Sequence, residues 1–291
     1  MKLLTDELYE FGKNSKEIFT PLSDHLCLVT KAMPVNDNEI DDYIANIRNA
    51  YSAGVNIARI LDYRLIPETS KSFNDGKYQF TKGVYLEDRA PGNSIEYEAL
   101  SLSFFKEYDF KKLSKEYLEK NLWYIEELEK RAAAPQGFYD KLVGDCLNLN
   151  SFGLAVDPRP LNFFFDSNVG FTIIDVLKES RVSRNMADKM IDSMLDIVYG
   201  YGSYDIMIDG NEFSYLPIEY IYRLVDAYRR IDKKIITSLR KYNFSDDDIS
   251  AALLDTTYKY ENKNDCASCD DIEYLLRDEY MKVRRQKFMS L

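Results

Sequence analysis

The chain has 291 residues, 45% hydrophobic and 30% charged, with a net charge of −11. That balance suits a soluble globular protein with room for one large core or two modest ones. It argues against nucleic acid held by a general phosphate-neutralising surface. No apolar run approaches the roughly 18 residues of a membrane span. The opening "MKLLTDELYEF" does not read as a signal peptide. The expected location is cytoplasmic, a chemistry that a secreted effector without a cleavable signal would share.

The first third alternates like strands. "LYEFG" and "EIFTPL" are short and rich in β-formers, and "HLCLVTKAM" has a period of two. A helix is expected over "DNEIDDYIANIRNAYSAG". There Ile40, Ile44, Ile47 and Tyr51 recur at helical spacing, acids fill the first turn, and Gly54 follows the end. "ARILDYRLI" and "KYQFTKGVYLED" read as two further strands joined by the turn-rich "PETSKSFNDG".

After "RAPGNS" the texture becomes helical, first at "SKEYLEKNLWYIEELEKRAAA" and then at "GFYDKLVGDCLNL". A hairpin of "FFFD" and "GFTIID" around an "SN" turn interrupts it. Helical patterns resume at "RNMADKMIDSMLDIVYG", "PIEYIYRLVDAYRRIDKKIITSLRKY" and "DDIEYLLRDEYMKVRRQKF". The order is a small β-rich part with one helix, a Pro-Gly crossing near residue 91, and a larger helical part. Cys27 and Cys146 fall in apolar stretches and read as buried small hydrophobes. Cys266 and Cys269 form a lone CxxC far from the only histidine, His25, so a polar loop is the plainer reading than a zinc or redox site.

The stretch "DPRPLNFFFDSNVGFTIID", residues 157 to 175, holds the chemistry. Asp157, Asn162 and Asp175 are short polar groups among Phe163, Phe164, Phe165, Phe171, Ile173 and Ile174. Such groups sit badly in apolar surroundings unless something occupies them. Each alone has a plain alternative. Asp157 with Pro158 and Pro160 makes a turn, Asn162 caps a loop, and Asp175 ends a strand or begins a helix.

Taken together they resemble the protein-kinase-like fold family. Asp157, Arg159, Pro160 and Asn162 stand in the order of its catalytic loop, and Asp175 follows thirteen residues after Asn162 on the far side of a hairpin. Lys31 in "CLVTKAM" lies on the third expected strand, where the family keeps a phosphate-binding lysine. "VYLEDRAPG" looks like the family's hinge, which places Glu87 and Arg89 in the segment lying along the adenine. Gly12 is the one glycine of the candidate phosphate loop "FGKNSKEIF". Ala155-Val156 stand where many protein kinases have His-Arg, Val-Leu follows Asp175 instead of Phe-Gly, and no Ala-Pro-Glu segment appears. These departures look more like the aminoglycoside and choline kinase branch, or compact bacterial effector kinases, than a eukaryotic-type protein kinase.

The resemblance implies an α+β, two-lobed fold. Residues 1–91 would form a small antiparallel lobe of five strands ending near Asp88, with one helix, and residues 92–291 a larger helical catalytic and substrate lobe. It implies ATP and Mg²⁺ as cofactors and transfer of the γ-phosphoryl group to a hydroxyl of a small molecule or protein. Asp157 would orient the acceptor and receive its proton, and Arg159 would neutralise charge on the transferring group. Asn162 and Asp175 would hold the metal, since hard cations prefer oxygen ligands. Lys31 would meet the phosphates and needs an acid from the following helix, where Glu39, Asp41 and Asp42 all stand in the first half and Glu39 has the longest reach. Two rival readings share the fold: a pseudokinase that holds a nucleotide or a partner, and a nucleotidyl transferase with the nucleotide reversed.

Overall fold

Thr5 opens the first element, and it is a helix where a strand is expected. The Thr5 hydroxyl accepts from Leu8 N at 3.3 Å, and Asp6 and Glu7 lie in the first turn. An N-cap with acids behind it favours helix over the β-propensity of "LYEFG". The helix, α1, runs Asp6–Asn14 and buries Tyr9 and Gly12. The computed structural model describes residues 3–15, 19–33, 39–69, 71–73, 78–94, 115–156, 162–178, 218–247 and 249.

Among these residues the protein is a mixed α+β structure with antiparallel sheets, and it divides into two compact units. The first unit comprises Met1–Gly92, Asp145–Asp157 and Thr172–Ser183. Its main sheet contains β1 (Phe19–Pro21), β2 (Leu26–Met33), β3 (Ile60–Leu65), β4 (Lys71–Phe73) and β5 (Tyr78–Asp88). The order is β1-β2-β5-β3, β4 also pairs with β5, and every pairing is antiparallel. Five strands ending at Asp88 agree with expectation, but their membership differs. β4 falls inside "PETSKSFNDG", expected as a turn, and replaces the strand lost to α1.

Side chains alternate across a strand, so the register assigns them to faces. Leu28 lies opposite Leu86 and Thr30 opposite Val84, and this face meets α1. Leu4, Tyr9, Leu28, Ile66 and Val84 form a buried cluster there. The other face carries Cys27 opposite Glu87, Val29 opposite Tyr85, and Lys31 opposite Gly83. Tyr63 pairs with Tyr85 and stacks on its ring at 6.1 Å. The Tyr63 hydroxyl donates to Asp41 of α2 (Ile40–Ser52) at 2.7 Å, so α2 lies over this second face. Arg48 of α2 adds bonds to the carbonyls of Ile60 and Leu61, both 2.8 Å.

Two short strands complete the unit. β6 (Leu154–Val156) and β9 (Val176–Lys178) pair antiparallel, with Val156 opposite Val176. Ile173, at the end of β8 (Gly170–Ile173), donates to Asn56 O and accepts from Ala58 N, both at 2.8 Å. Asn56 N in turn donates to Asp145 Oδ2 at 3.0 Å.

The second unit comprises Asn93–Gly144, Pro158–Phe171 and Arg184–Leu291. α3 (Lys115–Ala133) and α5 (Ile218–Lys241) bury helical stripes, Tyr124, Ile125, Leu128 and Ala132 on one and Ala227, Ile231, Ile235 and Leu239 on the other. Spacing of three and four residues aligns such stripes along one helix face. A bidentate pair links the two helices, Arg223 donating to Glu129 at 2.7 and 2.6 Å. α4 (Gln136–Ser151) follows α3 as expected. β7 (Phe163–Asp166) pairs with β8 around a turn in which Asp166 Oδ1 accepts from Asn168 N and Val169 N.

Arg131 is buried in this unit. It donates to Glu127 O at 3.0 Å and Asn93 O at 2.9 Å, pairs with the Glu127 carboxylate at 3.2 Å, and lies over the Phe165 ring. Asn93 and Phe165 exchange two backbone bonds, so the residue just past the Pro-Gly crossing is tied to β7. The helices expected at "RNMADKMIDSMLDIVYG" and "DDIEYLLRDEYMKVRRQKF" lie outside the described residues, as do Cys266 and Cys269.

Candidate functional site

The site grows from one lysine on β2. Lys31 projects on the α2 face, and its directly opposed residue, Gly83, has no side chain to meet it. Its ammonium lies 3.2 Å from Glu87 Oε1 and 3.7 Å from Asp175 Oδ1. Asp175 stands between β8 and β9, where its Oδ1 also accepts from Val176 N at 3.1 Å. Lys31 and Asp175 are distant in sequence, and the fold brings them into one ion pair.

Burial and charge compete at this cluster. Burial alone would push the Lys31 ammonium down, but the carboxylates of Glu87 and Asp175 outweigh it and hold the lysine protonated well above its usual range. Glu87 is raised as well, which for a carboxyl means toward its neutral form. Burial raises its carboxyl above the usual range, the Lys31 charge opposes the rise, and Asp175 adds to it. Glu87 Oε1 is fully buried, and although Lys31 is close, the angles leave that oxygen without a hydrogen bond. Cys27 lies directly opposite Glu87 on the same face, its thiol donating weakly to Glu87 O. Burial, then the Glu87 charge, pushes this thiol up to about 12. It is a packing group and not a nucleophile at neutral pH.

Two placements differ from expectation. Glu39 does not serve as the acid of Lys31: it sits at the start of α2 and takes Lys178 of β9 at 2.7 Å, while Glu87 holds the lysine from within the sheet. Gly12 lies in α1, not in a turn between strands. Its Cα faces Val84, Leu28 and Thr30, and its carbonyl accepts from the Thr30 hydroxyl at 3.0 Å. Those residues occupy the face opposite to Lys31, so the sheet itself separates Gly12 from the ammonium. Arg89 follows β5, where its N–H donates to His25 O and its guanidinium to Ser23 O, bracing the β1–β2 turn.

Asn162 is buried immediately before β7, in the second unit. Asp157 and Arg159 lie outside the described residues. Tyr43 carries no motif, yet its hydroxyl donates to Val176 O at 2.5 Å beside Asp175. Its helical spacing marks it as core, and nothing in a linear pattern shows where a buried hydroxyl points.

Asp175 supplies a half-buried carboxylate, a donor that suits a hard divalent cation. Among the described residues no group of three or more His, Cys, Asp or Glu side chains forms a protein-only metal cage. Among those residues, too, no helix is long and apolar enough to cross a membrane.

No protein-family model matches this chain, and no curated protein sequence does. Among solved structures, one described as "Amicoumacin kinase hAmiN in complex with AMP-PNP, Ca2+ and Ami" is similar at 14% identity. The alignment covers 88% of this chain and 91% of that one, with a TM-score of 0.25.

Proposed function

We propose that the protein is an ATP- and Mg²⁺-dependent phosphotransferase with a two-lobed, kinase-like arrangement, moving a γ-phosphoryl group to a hydroxyl. The observation that carries this reading is the contact of Lys31 with Asp175 at 3.7 Å. A strand lysine and the acid after the hairpin are the two groups that a triphosphate and its metal require together. A lysine kept cationic and pinned by Glu87 suits phosphate oxygens, which need a fixed positive charge.

Phosphoryl transfer depends mostly on positioning and charge stabilisation. Mg²⁺, when bound with the nucleotide, would offset phosphate charge. Asp175 and Asn162 are the oxygen donors assigned to hold it. Lys31 would bind the phosphates, Asp157 would orient the acceptor hydroxyl and take its proton, and Arg159 would lie against the transferring group. The acceptor is a small molecule or an unusual protein target, because few residues separate Asp175 from the helical pattern at Arg184, leaving little of the usual platform for a peptide.

Thermal melting with ATP, GTP or ADP, each with and without Mg²⁺, tests the reading. A nucleotide at 100 times its dissociation constant should add about 2.7 kcal/mol. No stabilisation by any nucleotide, with or without metal, would overturn it.

A further inference from the structure

Asp175 is held from both sides along the chain. Before it, Ile173 is locked to Asn56 and Ala58 by two 2.8 Å bonds. After it the chain enters β9, and there the hold comes from α2. The Tyr43 hydroxyl, on a residue only 3% exposed, donates to the Val176 carbonyl at 2.5 Å. Four residues earlier on the same helix, Glu39 pairs with Lys178. Val176 joins the two sets of bonds. Its carbonyl is fixed by Tyr43, and its N–H donates to Asp175 Oδ1 at 3.1 Å. Val176 is itself 1% exposed and opposes Val156 in the ladder, so it has little freedom to shift by other means.

We propose that Tyr43 is a positioning residue for the Asp175 carboxylate, and through it for a divalent cation bound together with a nucleotide. The proposal rests on the reading of Asp175 as a metal ligand. A cation ligand works only within narrow limits of distance and angle, and groups that orient a ligating carboxylate typically govern affinity as much as tenfold or more. In this chain α2 therefore acts on the site through β9, while Lys31 takes its position from Glu87 in the sheet.

The test uses the full chain with AMP-PNP and Mn²⁺, bound metal being read from loss of the free-ion paramagnetic resonance signal. Metal-free binding of AMP-PNP is read separately by calorimetry in EDTA. Tyr43→Phe should raise the half-saturating Mn²⁺ concentration about tenfold and leave AMP-PNP binding in EDTA unchanged. Glu39→Gln, which cuts only the half-exposed tie, should raise it about twofold. A folded Tyr43→Phe with normal Mn²⁺ affinity overturns the proposal, and so does one that weakens metal-free nucleotide equally. Should Tyr43→Phe fail to fold, unchanged Mn²⁺ affinity in Glu39→Gln overturns it. Asp175→Asn separates the two levels: if it leaves Mn²⁺ affinity intact, the metal-ligand reading itself falls, whatever Tyr43 does.

Discussion

Lys31 and Glu87 meet diagonally: the ammonium is 3.2 Å from Glu87 Oε1 although the register places the Val29–Tyr85 pair between them. The lysine is the cation nearest a buried carboxylate, so Lys31→Met leaves Glu87 without compensation. Breaking one side of a buried pair costs about 3 to 5 kcal/mol, and adding Glu87→Gln should restore most of that in urea unfolding. The loss should also depend on pH. Glu87 has a raised pKa in the folded protein, so the folded form binds a proton more tightly than the unfolded chain, whose carboxyl titrates near 4.5. Acidification therefore favours folding, and more strongly without Lys31. The gap between variant and wild type should narrow as pH falls from alkaline conditions toward the ordinary carboxyl range. A constant gap would mean that Glu87 is not its cause.

Gly12→Ala should cost stability and leave nucleotide affinity unchanged. The new Cβ would lie 2.7 Å from Val84 Cγ1 and 3.0 Å from Leu28 Cδ2. Overpacking of this kind costs about 1 to 3 kcal/mol, against a helix-propensity gain of about 1 kcal/mol. A lower melting temperature with unaltered nucleotide binding fits a packing glycine behind the sheet. A stable variant that binds nucleotide tenfold more weakly would return Gly12 to the phosphate site.

Asp157→Ala and Asp175→Asn should both be inactive yet differ in binding. Asp175→Asn should remove the Mg²⁺-dependent part of nucleotide stabilisation. Asp157→Ala should retain it and lose about 10² to 10⁴-fold in turnover, as for a positioned proton acceptor. Slow ATP hydrolysis measured with each variant decides the matter, and full activity in Asp157→Ala would remove that residue from the chemistry.

Glu129 links α3 to α5, and hydrogen bonding from Arg223 holds its carboxyl below the usual range despite the opposing effect of burial. A depressed carboxyl contributes stability above its unfolded value near 4.5, lost as pH falls through the lower folded value. At a site about one-third exposed the pair is worth no more than about 1 kcal/mol. Melting of Glu129→Gln should fall about 2 °C below wild type at neutral pH and coincide with it once pH drops well below the ordinary carboxyl range. A difference that persists in acid would point to packing instead of charge.

Strong periods were legible in the sequence and short ones were not. Lys31 on a strand, the β7–β8 turn and the helical run of Ile40, Ile44 and Ile47 all follow from local pattern. β4, β6 and β9 have three residues each, too few for a period of two to declare itself. The apolar residues of α1 suit either element, and the Thr5 cap decides between them. The choice of Glu87 over Glu39 lies in the strand register, a long-range property that no spacing within α2 encodes. Tyr43 escaped for the same reason, its partner being Val176.

The first unit is assembled from stretches made at different times. Its sheet is complete in sequence by Gly92, but the strand that receives Tyr43 and Glu39 ends at Lys178. Those 86 residues (178 − 92) take roughly 4 to 17 s to synthesise at about 5 to 20 residues per second. On the ribosome, then, the nascent sheet carries α2 through that interval before β9 exists to receive it. A chaperone or protease acting during synthesis meets this half-built form first.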